Sequence, residues 1–571
     1  MRKKYIFLFI IFLLAAILIT FPLVLNMTSK LYGEKGDVYG VVWSMWVHTF
    51  ISKFEYPLNL FVSTSGAPFG FVRDSIQPVL DFIIFFLSDI FGEIFAYNLL
   101  IILGFVLTAA STYLLVYYIT RHHLASIFAG FIFGFSPYMI AHAIAGHIGL
   151  SVMNFFIPVY VWALIKAAKE KNIKNSVICG VLFIFLAFSC IYNGYIILFF
   201  TCYLFCFELF RLFREKEFKF DIILRWGLMM FIALGVVALF EKYVLYESSG
   251  SILIHRPFKE LFIYSAKPWN YMLPSVYNPF FGDTVRSFSD RLLMGSNYTE
   301  QTLYLGLIPL ILACYIIFKA IKRRGLNTDK AISDRKSFVV FFATSALVMM
   351  IFSAPPFLPL GSFKIEHGEI ITKYKLYFPS YFLYKIAPMF RVYARFGVLV
   401  LLCVSVLSAV GFASIYENIK TKKKKVIFSV SVFLLLIVEF ASIPKFIDIK
   451  YTPPVYKWLA EQKEDFTVVE YPLDQDIHGL PAEYQFFQRI HRKKIFNGTV
   501  AGSYADKLRL NMLQPFSEYT IGNLKRMGVK YLIIHRDKYI MNKGSVPEVN
   551  KNLRIKFTGN FDATDVYLIS M

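Results

Sequence analysis

The polar residues with chemical potential in this chain stand at the ends of long apolar runs, where a water-borne group and a lipid-borne one can meet. Asp37 closes Gly33-Glu-Lys-Gly-Asp37 and leads into an aromatic amphipathic stretch with Val42, Trp43, Trp46, Val47 and Phe50. That spacing suits a helix lying in the headgroup layer. Its carboxylate can face a polar substrate head at that depth, or it can simply cap a helix starting at Val38. His142 and His147 bracket a tight turn containing Gly146. Histidine there can bind a metal or a phosphate oxygen, or can be a polar group satisfied at an interface, and a spacing of five does not by itself make a metal site. Glu300 precedes an apolar run, as a substrate contact or as an acid stabilised at a helix start. Arg391 and Arg395 lie four apart, on one face of an expected helix, and carry planar, permanently charged forks suited to anions. The alternative for both is interfacial snorkelling. Arg256 and Lys267 add cations in a long loop between apolar runs.

The elements that must position these residues are set by composition. Of 571 residues 57% are hydrophobic and 17% charged, and the mean hydropathy is +0.56, whereas soluble domains carry about 25% charged residues. The net charge of +22 does not point to nucleic acid, because it is gathered in short runs between apolar segments: Arg2 to Lys4, Arg214 to Lys219, Lys322 to Arg324 and Lys422 to Lys425. Such placement is that of topology signals. All six cysteines fall inside apolar segments and show no metal-ligand spacing.

A bilayer crossing takes about 20 apolar residues. Candidate spans run near 5–25, 94–118, 124–143, 149–168, 175–191, 194–213, 221–244, 302–320, 337–354, 394–416 and 425–444. Val79 to Ile90 is short and carries Asp81 and Asp89, which are costly at the bilayer centre. If it crosses, several basic runs face outward; if it lies along the interface, every one faces the cytoplasm, as the positive-inside rule asks. The expectation is a polytopic α-helical protein of the cell membrane with about eleven spans. Its N-terminus is cytoplasmic and its C-terminus extracytoplasmic. The first segment is read as a retained span, since no small-residue cleavage site follows it. Residues 1–445 then form the membrane domain, with a first outer loop at 26–93, and residues 446–571 a small extracytoplasmic α/β domain. Strands are expected at Phe466 to Tyr471, Lys530 to His535 and Val566 to Met571, with helices at Pro454 to Ala460 and Pro515 to Met527. No glycine-rich phosphate loop or Ser/His/Asp set appears in that domain, and its polar residues read as solvated surface.

The ordered motifs resemble the C-type glycosyltransferase superfamily, the GT-C fold, and most closely its prokaryotic branch with a C-terminal outer domain. The similarity rests on Asp37 just after the first span and on Pro57 to Phe61, Gly66 to Gly70 and Arg73-Asp74. It extends through the short helix before the second span to FGFSPYMIAHAIAGHIGLSVMNFFIPVYVWAL at 133–164 and Leu273-Pro-Ser275 with Asn278-Pro279. Glu300, Tyr304-Leu-Gly306 and Arg391-Val-Tyr-Ala-Arg395-Phe396 complete it. Each motif is weak alone; their order along most of the chain is the stronger signal. The resemblance implies an inverting enzyme that moves a sugar from a polyprenyl-phosphate donor to a glycan, lipid or protein acceptor on the outer face. It makes Asp37 the catalytic base, with Asp74 or Asp81 as a second acidic position. His142, His147, Arg256, Lys267, Glu300, Arg391 and Arg395 become substrate contacts, the arginines on the leaving phosphate. A divalent metal is compatible with this chemistry but not required by it. A lipid or polysaccharide transporter and a non-catalytic assembly protein are the other classes that fit, although transporters place polar groups near the midplane and often show repeats.

Overall fold

The computed structural model describes residues 2–50, 61–72, 77–170, 172–247, 256–292, 297–322, 330–366, 369–474, 479–499, 503–550 and 555–569. Every apolar segment singled out above is helical. Among the described residues seven helices are long and apolar enough to cross a membrane: Glu93–Thr120, His123–Ile144, Ile148–Glu170, Ile191–Arg214, Asp221–Phe240, Lys336–Ser353 and Tyr393–Asn418. Ile6–Ile19 and Ile173–Ser189 are shorter apolar helices. The Ser-Pro pair breaks the second of the seven, because one helix ends at Gly134 and the next starts at Pro137 with Ser136 accepting from the Met139 amide. Proline has no amide hydrogen to leave unpaired at a first helical position.

Contacts divide the chain into two compact units. The first comprises Met1–Val24, Leu100–Glu241 and Leu253–Pro444. Its hub is the helix Gly397–Asn418, whose side chains are buried from Gly397 to Ala409. Helices close in on one another at small residues. A Cβ on Gly134 would lie 2.7 Å from Ala109, and one on Gly104 2.7 Å from the Val152 backbone. Close backbone approach at Gly and Ala is how helices pack where no water drives them together.

The loop 355–393 contains an element that the sequence reading did not foresee. Phe357–Glu366 pairs antiparallel with Glu369–Tyr377 in a long hairpin.

The second unit comprises Leu25–Leu99, Lys242–Ile252 and Lys445–Met571. Its five-stranded sheet runs in the order Ile555–Phe561, Thr564–Ile569, Val529–His535, Thr467–Tyr471, Lys494–Ile495. The first two junctions are antiparallel and the last two parallel. Helices at Pro454–Glu461, Leu480–His491, Tyr504–Leu510, Glu518–Arg526 and Arg536–Lys543 accompany these strands. Val469 and Tyr471 face a core with Phe496, Met512, Leu524, Leu532 and Ile534. Glu470, pointing the other way, is also fully buried.

The 25–99 segment is tied to this sheet layer. Lys30–Tyr32 pairs antiparallel with Phe446–Asp448, and the helix Asp37–Phe50 packs on Leu480–His491. Tyr39 stacks on Phe486 at 4.3 Å, and Trp43 Nε1 donates to Gln488 Oε1 at 2.8 Å. This corrects the reading of that aromatic stretch as a headgroup-layer helix. Trp43, Trp46 and Val47 are buried in protein, and only Phe50 of the set is exposed. The helix Pro78–Phe91 has 14 residues. At about 1.5 Å per residue it falls short of the ~30 Å hydrocarbon core. Asp81 is buried in its first turn and accepts from the Gln77 amide at 3.2 Å.

Candidate functional site

The first unit gathers four of the expected residues into one buried cluster. His142 lies in the last turn of the helix Pro137–Ile144. Gly146 adopts φ +81°, and the His147 amide returns to the His142 carbonyl at 2.9 Å. A positive φ is cheap only for glycine, so Gly146 lets the chain fold back tightly enough to bring the two imidazoles together. Their Nδ1 atoms are 2.8 Å apart. Glu300 stands in the single turn Tyr298–Gln301, whose start is capped by Asn297 accepting from the Glu300 amide at 2.9 Å. Arg395 sits in the turn Tyr393–Phe396 that opens the hub helix.

The Glu300 carboxylate is the centre. Arg395 Nε donates to both of its oxygens at 3.1 Å, and Nη2 also reaches Oε1. On the carboxylate's histidine side, His142 Nε2 and His147 Nδ1 each lie 3.8 Å from one oxygen. Tyr192 supports the guanidinium with its ring 4.1 Å away. Burial pushes the Glu300 pKa up, but the Arg395 charge outweighs it with help from the two histidines, and the group is held down to about 2. The carboxylate is therefore charged throughout the physiological range.

Two buried polar atoms in the cluster, His142 Nε2 and Tyr138 Oη, have no hydrogen-bond partner among the described residues. Orphaned buried groups are rare and call for a reason. His142, His147 and Glu300 each offer one ligand atom, all within 4.8 Å of one another. A tetrahedral site with bonds of about 2.0–2.1 Å sets its ligand atoms roughly 3.3 Å apart. The 3.8 Å separations run to different Glu300 oxygens, so closing on one ion requires an inward movement and release of the 2.8 Å contact between the two Nδ1 atoms. Neutral imidazoles and a carboxylate fit a divalent cation. Beyond these ligands, Asn193 Nδ2 donates to Asn154 Oδ1 at 3.0 Å, and Asn154 Nδ2 contacts Met139 Sδ at 3.1 Å.

The other expected residues go elsewhere. Arg391 is outside any helix, so it does not share a helical face with Arg395. Its Nη1 donates to Glu260 at 2.7 Å, and its guanidinium lies 4.7 Å from the Tyr264 ring. Lys267 Nζ donates to the Phe262 carbonyl at 2.6 Å, and burial pushes its pKa down to about 8. Lys267 thereby ties its own loop together. The Arg256 amide donates to Pro388, and its carbonyl accepts from Tyr384 Oη. Asp37, in the second unit, is exposed in the first turn of Asp37–Phe50, where the helix begins one residue earlier than the capping reading requires. Asp74 lies outside the described residues. Sequence reasoning missed Glu260 and Tyr192, which no spacing signals. It also passed over Asn154 and Asn193, although amides inside apolar segments are signals in their own right.

The second unit holds another polar cluster, contrary to the expectation of solvated polar residues there. Glu470 Oε2 accepts from Tyr456 Oη at 2.8 Å and lies 2.7 Å from His535 Nε2. His491 is buried close by.

The overall arrangement has known counterparts. The oligosaccharyltransferase of Archaeoglobus fulgidus, solved tethered to an acceptor peptide, superposes with a TM-score of 0.52 at 13% identity, covering 100% of this chain and 74% of that one. AglB from the same organism, solved with an inhibitory peptide and a dolichol-phosphate, gives 0.50 at 13% identity with the same coverage. ArnT from Cupriavidus metallidurans bound to undecaprenyl phosphate gives 0.47 at 9%, covering 98% of each chain. No curated protein matches the chain by sequence. The fold is the GT-C fold, carried by a membrane protein. Residues 9–441 match the model described as Domain of unknown function (DUF6311), and the chain belongs to that family.

Proposed function

We propose that this protein is a glycosyltransferase that moves a sugar from a polyprenyl-phosphate donor to an acceptor at the extracytoplasmic face of the membrane. The observation that carries the reading is the buried cluster of His142, His147, Glu300 and Arg395 in a GT-C fold. A set of charged and titratable groups buried this deeply is costly and marks function more often than packing. The dolichol-phosphate in the archaeal structure supports the donor class.

In this reading the acceptor attacks the anomeric carbon directly, the polyprenyl phosphate leaves, and the configuration inverts. Asp37 takes the acceptor proton, a role given to it by its place after the first span. His142, His147 and Glu300 would hold a divalent cation, which would supply positive charge within the first unit. Arg395 fixes the Glu300 carboxylate toward the histidines through Nε and Nη2. Arg391 Nη1 pairs with Glu260. Arg256 and Lys267 stabilise the loop that carries Glu260.

The membrane arrangement proposed with this function has about eleven spans. The N-terminus is cytoplasmic, residues 1–445 form the membrane domain, and residues 446–571 are extracytoplasmic. Pro78–Phe91 lies along the interface. Cells lacking the protein are expected to accumulate one polyprenyl-phosphate sugar and to lose one surface glycan or glycolipid. Unchanged pools of both would contradict the proposal.

A further inference from the structure

We propose that the hairpin Phe357–Tyr377 is a membrane-surface element: one face enters the lipid leaflet at the end of the helix Lys330–Ser353, and the other meets anionic headgroups.

The register fixes the faces. Leu358 pairs with Leu376, Leu360 with Tyr374, and, past an irregularity in the ladder, Phe363 with Thr372. Directly opposed residues share a face and alternate residues return to it. Leu358, Leu360, Phe363, Tyr374 and Leu376 therefore form one continuous apolar surface, and each is between 45% and 59% exposed. The same alternation places Lys364, Lys373 and Lys375 on the opposite face.

The root of the hairpin is firmly held. Phe357 packs edge-on against Phe262 at 5.0 Å, the Phe378 amide donates to Pro356 at 3.0 Å, and Ser380 Oγ donates to Ala354 at 2.8 Å. The hairpin starts four residues beyond Ser353, where an apolar helix long enough to cross the bilayer ends. Four residues reach about 14 Å at most, so the hairpin starts close to the membrane surface. Strands of 10 and 9 residues make up the hairpin, and Ile370 near its far end packs in one cluster with Phe262 and Phe357, so the exposed apolar surface is that of Leu358, Leu360, Phe363, Tyr374 and Leu376.

An exposed apolar surface of that kind, close to the end of a span and backed by lysines, matches a bilayer better than a soluble partner. Apolar side chains enter the acyl boundary while lysines reach the headgroups. Anionic lipid is the partner the lysines select.

The test uses the full chain, with its native cysteines replaced and a single cysteine introduced by Leu360→Cys or, separately, Phe363→Cys. Each is labelled with an environment-sensitive fluorophore and reconstituted in phosphatidylcholine vesicles with or without phosphatidylglycerol. Tyr504→Cys, 68% exposed in the second unit, is the water-facing reference. Both hairpin probes are expected to be quenched by nitroxide-bearing lipid and to resist iodide at least threefold better than the reference. Replacing Lys373 and Lys375 with Gln should reduce lipid quenching in the phosphatidylglycerol vesicles and leave it unchanged in neutral ones. Iodide quenching equal to the reference overturns the proposal. So does protection from both quenchers, which would mean that protein covers the face. Lipid quenching that ignores the lysine changes overturns the headgroup half.

Discussion

Glu300 decides the character of the buried cluster, because every other member is arranged about its two oxygens. Removing its charge with Glu300→Gln leaves Arg395 buried without a counter-charge, which costs about 3 kcal/mol. A denaturation midpoint in detergent should fall accordingly. Arg395→Lys should also be damaging, since an ammonium cannot reproduce donation from Nε and Nη2 to one carboxylate. Arg391→Lys should cost much less, because the Arg391–Glu260 pair is about a quarter exposed on the arginine side and partly exposed ion pairs contribute little. Equal losses for the two lysine variants would refute this ranking. Because the folded pKa of Glu300 is depressed to about 2, its stabilising contribution is present above the ordinary carboxylate range and is lost only as pH falls through about 2. An acid limb near neutral pH therefore belongs to other groups. His142, His147, Glu300 and Arg395 were legible as candidates because polar residues at the ends of apolar runs are few. Their grouping was not legible, since it joins segments up to 253 positions apart, and no spacing encodes that.

At the level of elements, apolar length identified the helices well, and β-branched runs identified the strands Thr467–Tyr471 and Val529–His535 to within a residue or two. The helix Asp37–Phe50 shows where pattern fails: an aromatic stripe is the same sequence whether it faces lipid or another helix, and here Leu480–His491 takes it. The hairpin was missed because its strands mix lysine with aromatic residues on alternating positions and carry no turn signal stronger than Gly368. The sheet layer also makes a pH prediction. Burial pushes His491 down to about 4 and His535 well below its ordinary value. Burial pushes Glu470 up to about 7, against the opposing pull of His491 and Lys538. The depressed histidines contribute stability that is present above about pH 6.5 and lost on acidification. Glu470 has the opposite sign, contributing fully below about 4.5 and losing that contribution as pH rises through about 7. Two histidines oppose one carboxyl between about pH 4.5 and 6.5, so stability should fall on acidification. Glu470→Gln should steepen that fall. Hydrogen exchange in peptides covering 467–471 and 529–535, corrected for intrinsic rates, would show it, and a pH-independent protection would contradict it.

For the whole molecule, composition pointed to the membrane class and the order of weak motifs to the fold, because those motifs stand in separate segments and none of them forms a strong local signature. The proposed function rests on the sidedness expected from where the basic runs lie. In a background without native cysteines, Lys219→Cys should be labelled by an impermeant reagent only after the membrane is opened, whereas Tyr504→Cys should be labelled from outside in intact cells. Reversal of that pair would put the proposed chemistry on the wrong face. The central claim itself is tested most directly by purified protein in lipid nanodiscs, supplied with a polyprenyl-phosphate sugar, a divalent cation and an acceptor-containing envelope extract, and followed by release of polyprenyl phosphate. Asp37→Asn keeps the size of the side chain but removes the base, so it should fold as the parent does and release phosphate at least ~10²-fold more slowly. Release by Asp37→Asn at the parent rate, or no release by the parent with any polyprenyl-phosphate sugar, would contradict the account.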